Sequence, residues 1–186
     1  MKEPAGPMVK ESFPKHPDDA LEMMMTQYGT TVLRSAYFYM GDRHLAEDMS
    51  QEAFLRAYRA WPKFRGTSSV KTWLMKITIN VCRDRLGLKM SGEEPADPQT
   101  LETSRSFHVE EEALSKLARS ELLQHVMKLP MAFQEALYLY YYLDMSTREM
   151  AESLALPEGT IRGRLHRARE QLGILLTREE RDHEGA

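Results

Sequence analysis

Ser146-Thr147-Arg148-Glu149-Met150-Ala151-Glu152-Ser153-Leu154-Ala155-Leu156-Pro157-Glu158-Gly159-Thr160-Ile161-Arg162-Gly163-Arg164-Leu165-His166-Arg167-Ala168-Arg169 is the stretch on which the reading of this chain turns. Its first four residues make a capping box: the Ser146 oxygen can accept from the third backbone N–H while Glu149 reaches back to the cap N–H. A short helix follows, with Met150, Ala151 and Leu154 on its buried side. Leu156-Pro157-Glu158-Gly159 then turns the chain, and Thr160 caps a second helix expected to run toward Leu176. The spacing is that of a helix-turn-helix. In the second helix Ile161, Leu165, Ala168 and Leu172 form a core stripe, and Arg162, Gly163, His166, Arg167 and Arg169 fall on other faces. Exposed arginines in the first turns of such a helix suit a major groove, because the macrodipole favours acids there and a guanidinium fork matches guanine edges. Two other readings stand beside this one. An Arg-rich helix surface is also what a solvated face looks like, and His166 has no neighbouring nucleophile or carboxylate that would make it catalytic.

Upstream, residues 1–17 hold Pro4, Pro7, Pro14 and Pro17 without apolar periodicity and read as a flexible arm. From Asp18, apolar residues Leu21, Met24, Met25, Tyr28, Val32, Leu33, Ala36 and Tyr37 recur at helical steps up to a break at Gly41-Asp42. A second stripe runs from Leu45 to Tyr58 and ends near Pro62, and a third helix is expected from Ser69 to Leu86. Residues 91–108 have Pro, Gly and acids but almost nothing to bury, which reads as a linker. Helical periodicity returns at Val109, breaks at Pro130, resumes from Phe133 to Leu143, and gives way to a polar tail at 178–186. No useful strand alternation occurs, so the expectation is an all-α fold of two small helical domains, 18–90 and 109–177, joined by a flexible acidic linker.

Charge is distributed along the same lines. The chain of 186 residues has a net charge of −3, which by itself argues against a polyanionic partner. By segment, however, residues 18–90 carry a net +3, residues 91–112 a net −6, and Thr160 to Leu172 hold four arginines against Glu170. Local cation density is what phosphate binding requires, so the sum does not exclude nucleic acid. The single cysteine, Cys82, rules out an internal disulfide framework and leaves no zinc spacing; neither a metal nor a cofactor is expected. No apolar run approaches the roughly 20 residues of a membrane span, and the reading is of a cytoplasmic protein with no membrane insertion.

In the first domain Phe54, Tyr58, Trp61, Phe64 and Trp73 are interleaved or flanked by Arg65, Lys71, Lys76, Arg83 and Arg85. Stacking faces with flanking cations serve single-stranded bases, but most of these aromatics are equally suited to the core. Asn80, on the same helix as Trp73, is either a satisfied buried amide or a base-reading group.

Ala46-Glu47-Asp48-Met49-Ser50-Gln51-Glu52-Ala53-Phe54, Phe64-Arg65-Gly66, Thr72-Trp73-Leu74 with Ile77 and Asn80, Leu129-Pro130, Gly159-Thr160-Ile161-Arg162 and Leu165-His166-Arg167-Ala168-Arg169, in this order, resemble the extracytoplasmic-function (ECF) subgroup of the sigma-70 family over residues 18–176. The resemblance implies a specificity subunit of bacterial RNA polymerase, not an enzyme, with a sigma-2 and a sigma-4 domain. It implies that Asp48, Gln51, Glu52, Phe54 and Arg56 dock on the clamp helices of the largest polymerase subunit, the flap being a further polymerase contact. Thr67, Ser68, Ser69, Lys71, Trp73, Lys76 and Asn80 would melt the minus-ten element and hold a flipped base. Arg162, Gly163, His166 and Arg167 would read duplex minus-35 DNA, with Arg148, Thr160, Arg164 and Arg169 gripping phosphates. Anti-sigma control is implied as well. Two positions depart from the family pattern: Gly163 stands where serine is usual, and Met75 where an aromatic is common. A stand-alone helix-turn-helix regulator, with residues 18–90 as an effector-binding or dimerising domain, is the alternative; a hydrolase built on Glu47, Asp48 and Glu52 lacks a metal or base partner.

Overall fold

The computed structural model describes residues 13–87 and 121–184, so the linker at 91–108 and the expected helical onset at Val109 lie outside the described residues. Among the described residues every regular element is helical, as expected for an all-α fold. The first half comprises α1 (Pro17–Met40), α2 (Arg43–Ala60), a 3-10 turn (Trp61–Lys63) and α3 (Val70–Arg85). The second comprises α4 (Glu121–Met127), α5 (Met131–Leu137) continuing as a π-helical turn (Tyr138–Tyr142), α6 (Thr147–Leu154) and α7 (Glu158–Glu184).

Local chemistry sets the boundaries. Pro17 sits in the first turn of α1, where its missing N–H costs nothing, and Gly41 ends the helix in the left-handed region at φ 66° with its N–H on the Tyr37 carbonyl. Asp42 caps α2 by accepting from Leu45 N, and Ser69 caps α3 by accepting from Thr72 N. The expected capping box is present at Ser146 and Glu149. Helix α7 begins at Glu158, ahead of the Thr160 cap expected from sequence. Thr160 N and Ile161 N bond the Pro157 carbonyl at 3.0 and 3.3 Å, so proline opens the helix and the Glu158 carboxylate sits in its first turn, where the dipole favours it. The same helix continues through the residues read as a polar tail, to Glu184.

The end of the expected N-terminal arm is ordered against the first half. The Phe13 ring packs on Tyr28 and Trp61 with centroids 6.4 and 5.8 Å away, and Trp61 Nε1 donates to the Pro14 carbonyl at 3.1 Å. Buried Met24, Val32, Ala46, Ala53, Leu74 and Ile79 fill the first half, and Phe133, Leu139, Met150, Ile161, Leu165 and Ala168 the second; these residues belong to one continuous core. Helix α3 and the Tyr138 turn lie where the halves meet.

Candidate nucleic-acid and polymerase interfaces

Helix α7 divides by helical phase. At about 100° per residue, Ile161, Leu165, Ala168 and Leu172 span one arc, and Arg169, Arg162, His166, Gly163, Arg167 and Thr160 share the opposite one. Ile161, Leu165 and Ala168 are buried; Arg162, His166, Arg167 and Arg169 are exposed. Arg162 Nη2 contacts Glu158 Oε1 at 2.8 Å, and bonds from Thr147 and Arg162 hold the Glu158 carboxyl below the usual carboxylate range. Arg169 bonds the Tyr141 hydroxyl at 3.0 Å and lies over the Tyr140 and Tyr141 rings at 5.2 and 5.6 Å. Arg148 pairs with Glu152 one turn on, at 3.2 Å, both side chains largely exposed.

Arg164 is different. Its phase falls between the two arcs, about 40° from Ala168, yet its side chain is 10% exposed and its Nη1 lies 3.9 Å from Glu135 Oε2. Burial, with Arg83 and Arg167 nearby, lowers its guanidinium to about 10, which leaves it cationic at neutral pH. It is turned into the domain, which does not fit a phosphate contact; its phase leaves either direction open, and the packing beside Glu135 decides it.

The helix α3 cluster is half-exposed. Ser69, Trp73, Lys76 and Asn80 recur at helical steps along one side of α3, with Thr67, Ser68 and Lys71 at or before its first turn. Ser69 is occupied as the cap and also donates to Thr72 Oγ1 at 2.9 Å. Trp73 packs on Phe64 and Trp61 with centroids 4.9 and 5.7 Å away, so the aromatic group is mainly a scaffold with one partly open ring at its edge. Asn80 is half-buried and its amide has no hydrogen-bond partner among the described residues. Met75, at the position where an aromatic is common, is buried and accepts from the Ser35 hydroxyl at 3.8 Å.

On α2, Asp48 and Gln51 are exposed and Glu52 is half-buried. Arg56 is tied to Glu52 at 2.7 Å and to Asp84 of α3 at 3.1 Å, which fastens α2 to α3. Phe54 is 7% exposed and belongs to the core, so it cannot present its ring to a partner. Its neighbour Leu55, 48% exposed, shares the outer face with Asp48, Gln51 and Glu52; an apolar residue at an outward phase was the signal for it. Among the described residues no cluster of His, Cys, Asp and Glu is disposed to hold a metal, and no helix is long and apolar enough to cross a membrane.

Between the halves lies a group of residues that sequence reasoning passed over. Glu135, 3% exposed in its side chain, accepts from the Tyr39 hydroxyl at 2.8 Å and from Arg83 Nη1 at 2.8 and 3.0 Å. Burial, then the Glu135 charge, raises the Tyr39 phenol well above its ordinary value. Burial alone would lower Arg83, but the Glu135 carboxylate and Tyr39 together outweigh it and its guanidinium is raised.

Comparison with known proteins accounts for both halves. The sigma-70 region 2 pattern matches residues 24–89 and the sigma-70 region 4 pattern residues 119–172. The chain is 30% identical over 164 residues to the RNA polymerase sigma-H factor of Pseudomonas aeruginosa, covering 82% of this chain and 84% of that protein. It is 29% identical over 167 residues to the ECF RNA polymerase sigma factor SigW of Bacillus subtilis, covering 85% and 89%. Its fold is similar to that of the sigma factor RpoE solved with the anti-sigma factor NepR from Bartonella quintana, at TM-score 0.62 and 20% identity over 84% of this chain and 96% of the other. Likeness that spans both halves leaves no room for an effector-binding domain at 18–90, and the chain belongs to the ECF subgroup of the sigma-70 family of RNA polymerase sigma factors.

Proposed function

We propose that this chain carries core RNA polymerase to its promoters by reading duplex minus-35 DNA with α7 and holding unpaired minus-ten DNA with α3. The observation that carries this reading is the sorting of α7, whose apolar arc is buried while Arg162, His166, Arg167 and Arg169 are exposed beside the capping-box helix. Arg162 and Arg167 supply guanine-reading forks, His166 a further base contact, and Gly163 close approach. Arg148, Thr160 and Arg169 grip phosphates, while Arg164 supports the recognition helix from within. On α3, Lys71 and Lys76 attract the single strand, Thr67, Ser68 and Ser69 line the entry, and Trp73 and Asn80 receive the displaced base. Asp48, Gln51 and Glu52, with Leu55 in place of Phe54, form the polymerase-docking edge, and Arg56 holds Glu52 in position. The second half would meet the flap. The chain acts in the cytoplasm as an initiation factor without chemistry of its own, and an anti-sigma protein of the kind seen with the Bartonella relative controls it.

The test is reconstitution with bacterial core polymerase on a promoter library. Run-off transcripts that depend on this chain and on particular promoters support the reading. Tight sequence-specific duplex binding with no effect on polymerase overturns it.

A further inference from the structure

We propose that the Glu135 carboxylate is an interdomain latch that holds the two halves closed, in a form unable to engage both promoter elements at once. The proposal rests on the promoter reading above. Glu135 Oε1 takes the Tyr39 hydroxyl of α1 at 2.8 Å, and Arg83 Nη1 of α3 straddles both oxygens at 2.8 and 3.0 Å. Around it the Tyr138 ring stacks on Phe38 at 3.8 Å and 9°, and its hydroxyl meets Ser35 Oγ at 3.1 Å. Farther along the seam, two helix caps from different halves are joined in one chain of bonds. Ser69 donates to Thr72 at 2.9 Å, Thr72 donates to Glu149 Oε1 at 2.9 Å, and Glu149 Oε2 takes the Ser146 N–H at 2.8 Å.

Closure places the second half against the DNA-facing side of the first. On α3, Thr72 and Arg83 lie within about 20° of each other, and Lys76, Ser69, Asn80 and Trp73 occupy roughly the next 80° of the same side. The helix-turn-helix that touches Thr72 therefore crowds the approach to Asn80 and Trp73. Reach leads to the same conclusion. Promoter elements centred near minus-35 and minus-ten are about 25 base pairs, or roughly 85 Å, apart along the duplex at 3.4 Å per pair. Halves joined by a 2.9 Å hydrogen bond between α3 and α6 cannot span that distance.

Opening redistributes the charges. Arg83 leaves the carboxylate and joins Lys71 and Lys76 as a cation on the α3 side. Glu135 stays with Arg164, now 3.9 Å away, and becomes the internal brace of the recognition helix. One carboxylate thus serves the closed form through Arg83 and Tyr39, and the open form through Arg164.

The test uses the full chain with fluorophores on Arg59→Cys and Glu170→Cys, both exposed positions on α2 and α7; Cys82 is buried and stays unlabelled. Energy transfer and small-angle scattering are read without polymerase or DNA. The expected result is high transfer in the parent, a fall in transfer with a larger radius of gyration in Arg83→Gln and in Tyr39→Phe, and recovery in Arg83→Lys. Core polymerase, titrated without DNA, should bind Arg83→Gln severalfold more tightly, because a larger fraction of the chain is competent. A parent already as extended as Arg83→Gln, or unchanged transfer in both Arg83→Gln and Tyr39→Phe, overturns the latch. If the latch variants open but no form binds polymerase, the promoter reading fails and the latch stands.

Discussion

Asn80 and Gly163 show how far single residues carry the argument. The Asn80 amide is half-buried and makes no hydrogen bond among the described residues, so it contributes little to folding. Asn80→Ala should therefore change stability by less than about 0.5 kcal/mol. In holoenzyme it should leave closed-complex binding normal and lower permanganate reactivity of minus-ten thymines; unchanged reactivity would remove Asn80 from the base pocket. A Cβ on Gly163 would meet only Arg167 Nη2, at 3.6 Å, an ordinary contact. Gly163→Ala should raise thermal stability by about 0.5–1 kcal/mol through helix propensity alone. If the bare backbone is there to let DNA close in, minus-35 binding by the holoenzyme falls while the melting temperature rises. Equal or tighter binding would assign Gly163 no role in approach. Both positions stand in short-range, periodic motifs, which is why the sequence singles them out as candidates. Arg164 differs: its phase lies between the inward and outward arcs of α7, so only its packing beside Glu135 shows that the guanidinium is turned inward.

At the scale of elements, the helix-turn-helix carries one local inconsistency. Ala155 ends α6 in the left-handed region, φ 53° and ψ 43°, a conformation that costs a residue with a Cβ about 1–2 kcal/mol. Ala155→Gly should relieve that strain and raise the unfolding free energy by about 1 kcal/mol in denaturant titration, less the extra freedom glycine brings to the unfolded chain. A loss of stability would mean that the Ala155 methyl packs to more effect than its backbone strains. Helices α1, α2, α3 and α6 were legible because caps, glycine breaks and apolar steps of three and four agree over short stretches. The π-helical turn at Tyr138–Tyr142 was not. It is set by the Leu143 N–H reaching back to the Tyr138 carbonyl at 3.2 Å and by Tyr138 stacking on Phe38, whose position depends on tertiary packing. Phe54 and Leu55 differ for a related reason: both are large and apolar, and only the phase at which α2 meets α1 and α3 decides which of them faces outward.

At the scale of the whole molecule, the seam gathers buried groups whose titration should be visible in stability. Glu135 and Arg83 are separated by 52 residues in sequence, and Glu135 sits in an apolar run that reads as core, so no local pattern announces the pair. Burial raises Tyr39, Tyr138 and Cys82, the last to about 12. Their neutral forms are favoured by folding, so the stability each contributes is complete below its unfolded value and is lost as pH climbs from there toward the folded one. Arg164, lowered to about 10, has the opposite sign, because above pH 10 the folded state sheds a proton that the unfolded chain keeps. Three losses against one gain leave a net decline above pH 10. Each tyrosine accounts for about 1.4 kcal/mol per pH unit while it is ionised only in the unfolded chain. Guanidinium unfolding between pH 9 and 11.5 should show the parent losing stability steeply above pH 10, and Tyr39→Phe/Tyr138→Phe losing it less steeply by up to about 2.7 kcal/mol per unit. Parallel pH profiles would mean that the two phenols ionise alike in the folded and unfolded chains, which their burial at the seam between α1 and the Glu135 helix does not allow.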